Sequence, residues 1–217
     1  MNYRDWLVTK LIKEPIEVSK LNKVTSVDSN LIEVITTDGK LVIVGVIENS
    51  LISDMDVQLF LNSGKSKPNI IIGKSNSIWT GDAINSVRKN NVGWGGIGEI
   101  HSTYDTDNYS LIQKREYNWV ETNIMKHNKV RSLDRIFDRV FKVNRIGGLP
   151  SLKVVLINSY ELSAEEVRNS VEAYGAFDII LKTNPNGTPT ANAYLAAEEL
   201  GAEICVWREL LVRLNKI

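Results

Sequence analysis

An α/β protein of two tandem α-β-β-β-α-β-α-β units is predicted by three observations. An ordered series of matches links the two halves of the chain, each half opens with an amphipathic run and β-rich runs, and each then alternates polar-capped helical stretches with short apolar ones. The matches begin with Asn22-Lys23-Val24-Thr25-Ser26-Val27-Asp28, which recurs as Asn128-Lys129-Val130-Arg131-Ser132-Leu133-Asp134. Lys74-Ser75-Asn76 answers Lys182-Thr183-Asn184, and Thr80-Gly81-Asp82-Ala83 answers Thr190-Ala191-Asn192-Ala193. Trp6 matches Trp119, Ser53 and Val57 match Ser163 and Val167, and Glu99 matches Glu209, in the same order throughout. Duplication of a unit of about 105 residues, an ordinary domain size, explains such a series. Residues 1–107 and 108–217 are read as the two copies.

Each element follows from local pattern. Asn2 to Lys13 carries Trp6, Leu7, Leu11 and Ile12 on one helical face and ends before Pro15; Glu116 to Lys126 is its counterpart. Ile16 to Val27, Leu31 to Thr36 and Leu41 to Ile47 are β-rich, and Asp38-Gly39 is a hairpin signal. Gly147-Gly148 and Pro150 stand at the same joint of the second copy. Helices start at the caps Ser53 and Ser163, whose first turns hold acids that complement the helix dipole. The continuous apolar runs Asn69 to Ile72 and Phe177 to Leu181 read as strands buried on both faces. A second helix, from Thr80 or Thr190, and a last strand close each unit.

Composition sets limits on partners. The 217 residues include 26 Lys plus Arg and 26 Asp plus Glu, so no bulk field draws the whole molecule to nucleic acid or membrane. One cysteine, Cys205, provides no internal disulfide, and the absence of a signal-peptide pattern or long apolar run leads to the expectation of a cytoplasmic protein without membrane contact. The zero total nevertheless contains a basic centre. Between residues 113 and 145, Lys114, Arg115, Lys126, Lys129, Arg131, Arg135, Arg139, Lys142 and Arg145 face only Glu116, Glu121, Asp134 and Asp138. Lys129, Arg131, Arg135 and Arg139 are therefore the candidate nucleic-acid contacts.

The stretch Lys153 to Leu214 contains Leu162-Ser163-Ala164-Glu165-Glu166-Val167-Arg168 leading a helix, Asp178-Ile179-Ile180-Leu181-Lys182-Thr183-Asn184 as a strand end, an alanine-rich helix from Ala193 and a final strand from Ile204. It resembles the catalytic domain of Mrr-type restriction endonucleases, of the PD-(D/E)XK class; the first half resembles it only through the repeat. The resemblance implies restriction-endonuclease-like topology in both units, an intramolecular pseudo-dimer, and Mg²⁺ if the protein is an active nuclease. In that class two carboxylates hold the metal, and a lysine from a Glu/Gln-x-Lys motif orients the attacking water. That motif is missing here: the corresponding segments read Ile47-Glu48-Asn49-Ser50 and Leu156-Ile157-Asn158-Ser159-Tyr160.

Asp28, Asp38, Glu48 and Asp134 are the acids from which an unconventional catalytic site would be drawn. Lys74, Ser75, Asn76 and Thr80, with Lys182, Thr183, Asn184 and Thr190, lie where a strand ends and a helix begins, and are candidate phosphate ligands. The alternative for these residues is caps and turns. Gly93-Trp94-Gly95-Gly96-Ile97-Gly98 spells a dinucleotide fingerprint, but a helix precedes it, and it is read as an irregular last strand. Gly73-Lys74-Ser75 and Gly64-Lys65-Ser66 lack the earlier glycine of a phosphate loop. Three functions are consistent with these patterns: nucleic-acid binding on a degenerate nuclease fold, cleavage by an unconventional site, or assembly with a protein partner through Trp79, Trp94, Tyr104 and Tyr109.

Overall fold

A computed structural model describes residues 2–15, 20–63 and 66–216. The chain is mixed α/β, with three sheets and eight α-helices among the described residues, and divides into two compact units, Met1–Lys114 and Arg115–Ile217.

The first unit runs α1 (Tyr3–Lys13), β1 (Leu21–Ser26), β2 (Leu31–Thr36), β3 (Leu41–Ile47), β4 (Leu51–Ile52), α2 (Asp54–Leu61), β5 (Ile70–Gly73), β6 (Ile78–Trp79), α3 (Gly81–Lys89), β7 (Gly93–Gly95) and α4 (Ile97–Ile100). Its main sheet has the order β1-β2-β3-β5-β7, antiparallel as far as β3 and parallel from there. Strands β4 and β6 form a separate parallel pair. Leu7 and Leu11 of α1 pack on Val34, Val44, Ile70 and Ile72. Of the β-rich run expected from Ile16 to Val27, Leu21–Ser26 is a strand; residues 16–19 lie outside the described residues, as do Gly64 and Lys65.

The second unit runs α5 (Arg115–Met125), β8 (Val130–Phe137), β9 (Val140–Arg145), β10 (Leu152–Ile157), α6 (Ala164–Tyr174), β11 (Ile179–Lys182), α7 (Ala191–Glu199), β12 (Glu203–Cys205) and α8 (Trp207–Arg213). Its sheet is ordered β8-β9-β10-β11-β12, with the same change from antiparallel to parallel after the hairpins. Val155, Ile180, Val167, Ala193 and Ala197 make one side of its core. The local chemistry agrees with these elements: Ser53 and Ser163 cap α2 and α6 in reciprocal boxes with Asp56 and Glu166, and Thr80 and Thr190 cap α3 and α7.

The division at Lys114 lies beyond the expected residue 107, because Tyr104, Tyr109 and Ile112 belong to the first unit's core. Lys40 anchors the same segment, donating to the Tyr104 and Thr106 carbonyls and pairing with Asp107 at 3.0 Å. The aromatic contact patch is overturned by the same packing: Trp79, Trp94, Tyr104 and Tyr109 are all at most 8% exposed, which removes them from any docking surface.

The glycine-rich segment supplies the last strand of the sheet, Gly93–Gly95, as expected, and continues into a four-residue helix. Gly93 begins β7, so no strand precedes the motif as a dinucleotide site requires. At Gly95, φ is +151°, and a Cβ would stand 2.6 Å from Glu99 Oε2, which accepts the Gly96 N–H. The glycine makes room for a helix cap.

Candidate functional site

In the second unit, strands β10, β11 and β12 run parallel and deliver Asn158, Thr183 and Trp207 to one edge of the sheet. Ligands of open α/β sheets bind beyond such carboxyl ends. Helix α5 flanks this edge with Arg115, Glu116 and Trp119, and the open cleft there has a volume of about 600 Å³. Asn184 and Pro185 form part of its rim.

One wall is aromatic. The Trp119 and Trp207 rings lie 4.5 Å apart, tilted by 57°, and Trp119 remains 51% exposed. The other wall is polar. Asn158 Nδ2 donates to Glu116 Oε2 at 2.9 Å, and the Thr183 hydroxyl donates to Glu116 Oε1. Lys182 is 2% exposed; its ammonium donates at 2.6 Å to the Asn184 and Asn186 carbonyls, and burial holds its pKa below the usual lysine value. The turn it braces needs Gly187, where φ is +68° and a Cβ would collide with the Tyr160 carbonyl oxygen. Arg115 is exposed and forms no ion pair among the described residues.

The first unit fills the corresponding edge differently. Glu48, just after β3, accepts the Tyr3 N–H at 3.0 Å and pairs with Lys74 at 3.2 Å. The Tyr3 hydroxyl donates to the Gly73 carbonyl, and burial, then the Glu48 charge, push its pKa up. Its ring stacks on Trp6 at 5.3 Å and 17°.

Strand register corrects the matching of Lys74 with Lys182. Ile47 pairs with Gly73 and Ile157 with Lys182, so Lys182 occupies the place of Gly73 inside the sheet, and Lys74 the place of Thr183 just beyond it. The two lysines therefore occupy different positions in their own sheets. Ser75 and Asn76 form an exposed turn, the Asn184 side chain accepts the Asn186 N–H, and the Thr80 and Thr190 hydroxyls accept the Ala83 and Ala193 N–H groups as caps.

Asp28 and Asp38 lie apart. Asp28 closes a turn by accepting the N–H groups of Asn30 and Leu31, while Asp38 closes the β2–β3 hairpin with the Thr36 hydroxyl, a bond that holds its carboxyl below the usual range. They stand at opposite ends of the six-residue β2, about 20 Å apart. Asp134 lies within β8 opposite Lys142 and accepts from Asn144, so the last residue of the repeated heptad closes a turn after the strand in one unit and lies inside the strand in the other. No three His, Cys, Asp or Glu side chains among the described residues are placed to hold a metal. Glu48 is engaged by a lysine and Asn158 is neutral, so the residues present do not fit Mg²⁺.

The basic segment is partly internal. Arg135 is 8% exposed, pairs with Glu121 at 2.8 Å, donates to the Asp138 carbonyl at 2.6 Å and lies 4.4 Å over Phe141. Arg139 sits 3.6 Å from Asp138, and Arg145 is 5% exposed and donates to the Pro150, Leu214 and Lys216 carbonyls. Arg131 is exposed and Lys129 half-buried. Sequence reasoning missed Glu116, Trp207 and Arg115 as site residues. The signal for Glu116 was its position one turn before Trp119 on the same helical face.

No family model, curated protein or solved structure matches this chain. No helix among the described residues is long and apolar enough to cross a membrane.

Proposed function

We propose that the protein binds nucleic acid on a duplicated, degenerate nuclease fold, and that the second unit makes the contact without metal-dependent cleavage. The observation that carries this reading is the cleft at the carboxyl ends of β10, β11 and β12, where the exposed Trp119 and the half-buried Trp207 adjoin Arg115 and a hydrogen-bonded carboxylate. Indole faces stack on unpaired bases of any sequence, and an unpaired arginine supplies a phosphate contact. The shared element and sheet order of the two units supports duplication, and the engagement of Glu48 with the neutrality of Asn158 supports loss of the metal centre.

Fluorescence anisotropy with labelled single- and double-stranded DNA and RNA tests it. Micromolar binding to single strands is expected. With three phosphate contacts, from Arg115, Lys129 and Arg131, affinity falls with salt at a log–log slope of about two. Plasmid incubated with Mg²⁺ or Mn²⁺ stays intact. An absence of salt-sensitive binding to every nucleic acid at micromolar protein overturns the reading.

A further inference from the structure

Resting on the nucleic-acid reading above, we infer that the cleft of the second unit selects guanine, stacked on Trp119 and Trp207 with its Watson–Crick edge turned to Glu116 and Asn158. At Glu116 and Asn158 the polar wall presents acceptors beside one spare donor, the second Nδ2 proton of Asn158. A carboxylate only accepts, and each of its oxygens has two lone-pair sites. On Glu116, Oε1 receives the Thr183 hydroxyl and Oε2 receives Asn158 Nδ2, which leaves one site on each oxygen. Asn158 Oδ1 receives no hydrogen bond from the described residues. Thr183 has already directed its single proton to Glu116, and the nearest ammonium, Lys182, is turned away to two backbone carbonyls.

A ligand for such a wall needs adjacent donors. Guanine presents N1–H beside the N2 amino group. Adenine and cytosine present one amino group next to an acceptor nitrogen, and uracil presents one N–H between two carbonyls. For those three bases, an acceptor would face the carboxylate unpaired, at the cost of a lost hydrogen bond. The cleft, at about 600 Å³, is of the size that holds a small planar ligand, and Arg115 stands free at its edge for the phosphate.

Titration of the full chain with GMP, IMP, AMP, CMP and UMP, read by tryptophan fluorescence and calorimetry, tests the selection. GMP is expected to bind tightest, about tenfold over IMP, which lacks only the 2-amino group and so loses one charge-assisted hydrogen bond. Glu116→Gln, checked for an unchanged melting temperature, is expected to erase that ratio; the wild-type panel decides even if this variant does not fold. DNA and RNA oligoadenylates with and without one central guanine, followed by anisotropy, separate the sources of the base. Salt-sensitive binding to both oligomers with equal affinity, and no preference among the mononucleotides, overturns guanine selection and leaves the nucleic-acid reading standing. GMP binding without any oligonucleotide binding supports the guanine site and overturns the nucleic-acid reading. Binding of neither overturns both.

Discussion

The two units place a carboxylate at the same sheet edge but bring it from different elements. In the first, Glu48 follows the central strand and is neutralised by Lys74 and by the Tyr3 N–H at the start of α1. In the second, Glu116 belongs to the opening helix, and the residue after the central strand is the neutral Asn158, which donates to it. The polar link between helix and sheet is kept while the partners exchange roles. A lysine against a carboxylate closes the site electrostatically; an amide and a hydroxyl orient the carboxylate and leave its charge available. One fold thus yields a locked edge and an open one.

The largest effect expected from breaking this comparison is on stability. Arg135, with a side chain 3% exposed, bonds the Asp138 carbonyl in the second unit, as Arg4, 17% exposed, bonds the Asp28 carbonyl in the first. Arg135→Ala removes a buried guanidinium with its bonds to Glu121 and the Asp138 carbonyl, and is expected to cost about 3–5 kcal/mol in urea unfolding. Arg4→Ala, which removes a less buried guanidinium, is expected to cost about 1 kcal/mol. Equal losses would remove the distinction between the two arginines.

Binding comes next. Trp119→Ala is expected to weaken single-strand binding by about 1–3 kcal/mol, the usual value of a base–aromatic stack. Trp6→Ala, in the edge closed by Lys74, should leave binding unchanged. If both indoles matter equally in the anisotropy assay, the first unit also carries a site.

Alkaline titration gives a smaller effect. Burial, then the Asp138 charge, raise the pKa of Tyr117, so the folded state keeps a proton that the unfolded state loses above the ordinary phenol value of 10.0. Stability is therefore full below that value and falls as pH rises past it, by up to about 1.4 kcal/mol per pH unit for this group. Tyr117→Phe should flatten the decline measured by thermal unfolding at pH 10 to 11. Smallest of all, Lys74→Ala should change stability by no more than about 1 kcal/mol, since both partners of the Lys74–Glu48 pair are about 40% exposed.

Much of this architecture was legible from local pattern. The caps Ser53, Ser163, Thr80 and Thr190, the Asp38-Gly39 hairpin and the apolar strands at Ile70 and Ile179 depend on nearest neighbours along the chain, and each is where its residues favour it. The site was less legible because it depends on register and on contacts distant in sequence. A shift of one residue in a strand decides whether a lysine lies inside the sheet, as at Lys182, or beyond it, as at Lys74. Similar letters do not encode that shift. The pairing of Trp119 with Trp207 joins the unit's first helix to its last, and neither helix signals the other. The basic run misled for a related reason, since a count of charges cannot show that Arg135, Arg139 and Arg145 are engaged by Glu121, Asp138 and backbone carbonyls.

Two indoles held 4.5 Å apart at a fixed tilt are close enough for their electronic transitions to couple. The second unit thereby has a built-in optical reporter: an exciton couplet in circular dichroism that exists only while α5 and α8 are both docked on the sheet. Its loss on heating, set against the separate signal of Trp79 and Trp94 at 5.5 Å in the first unit, would time the melting of each half without any added label.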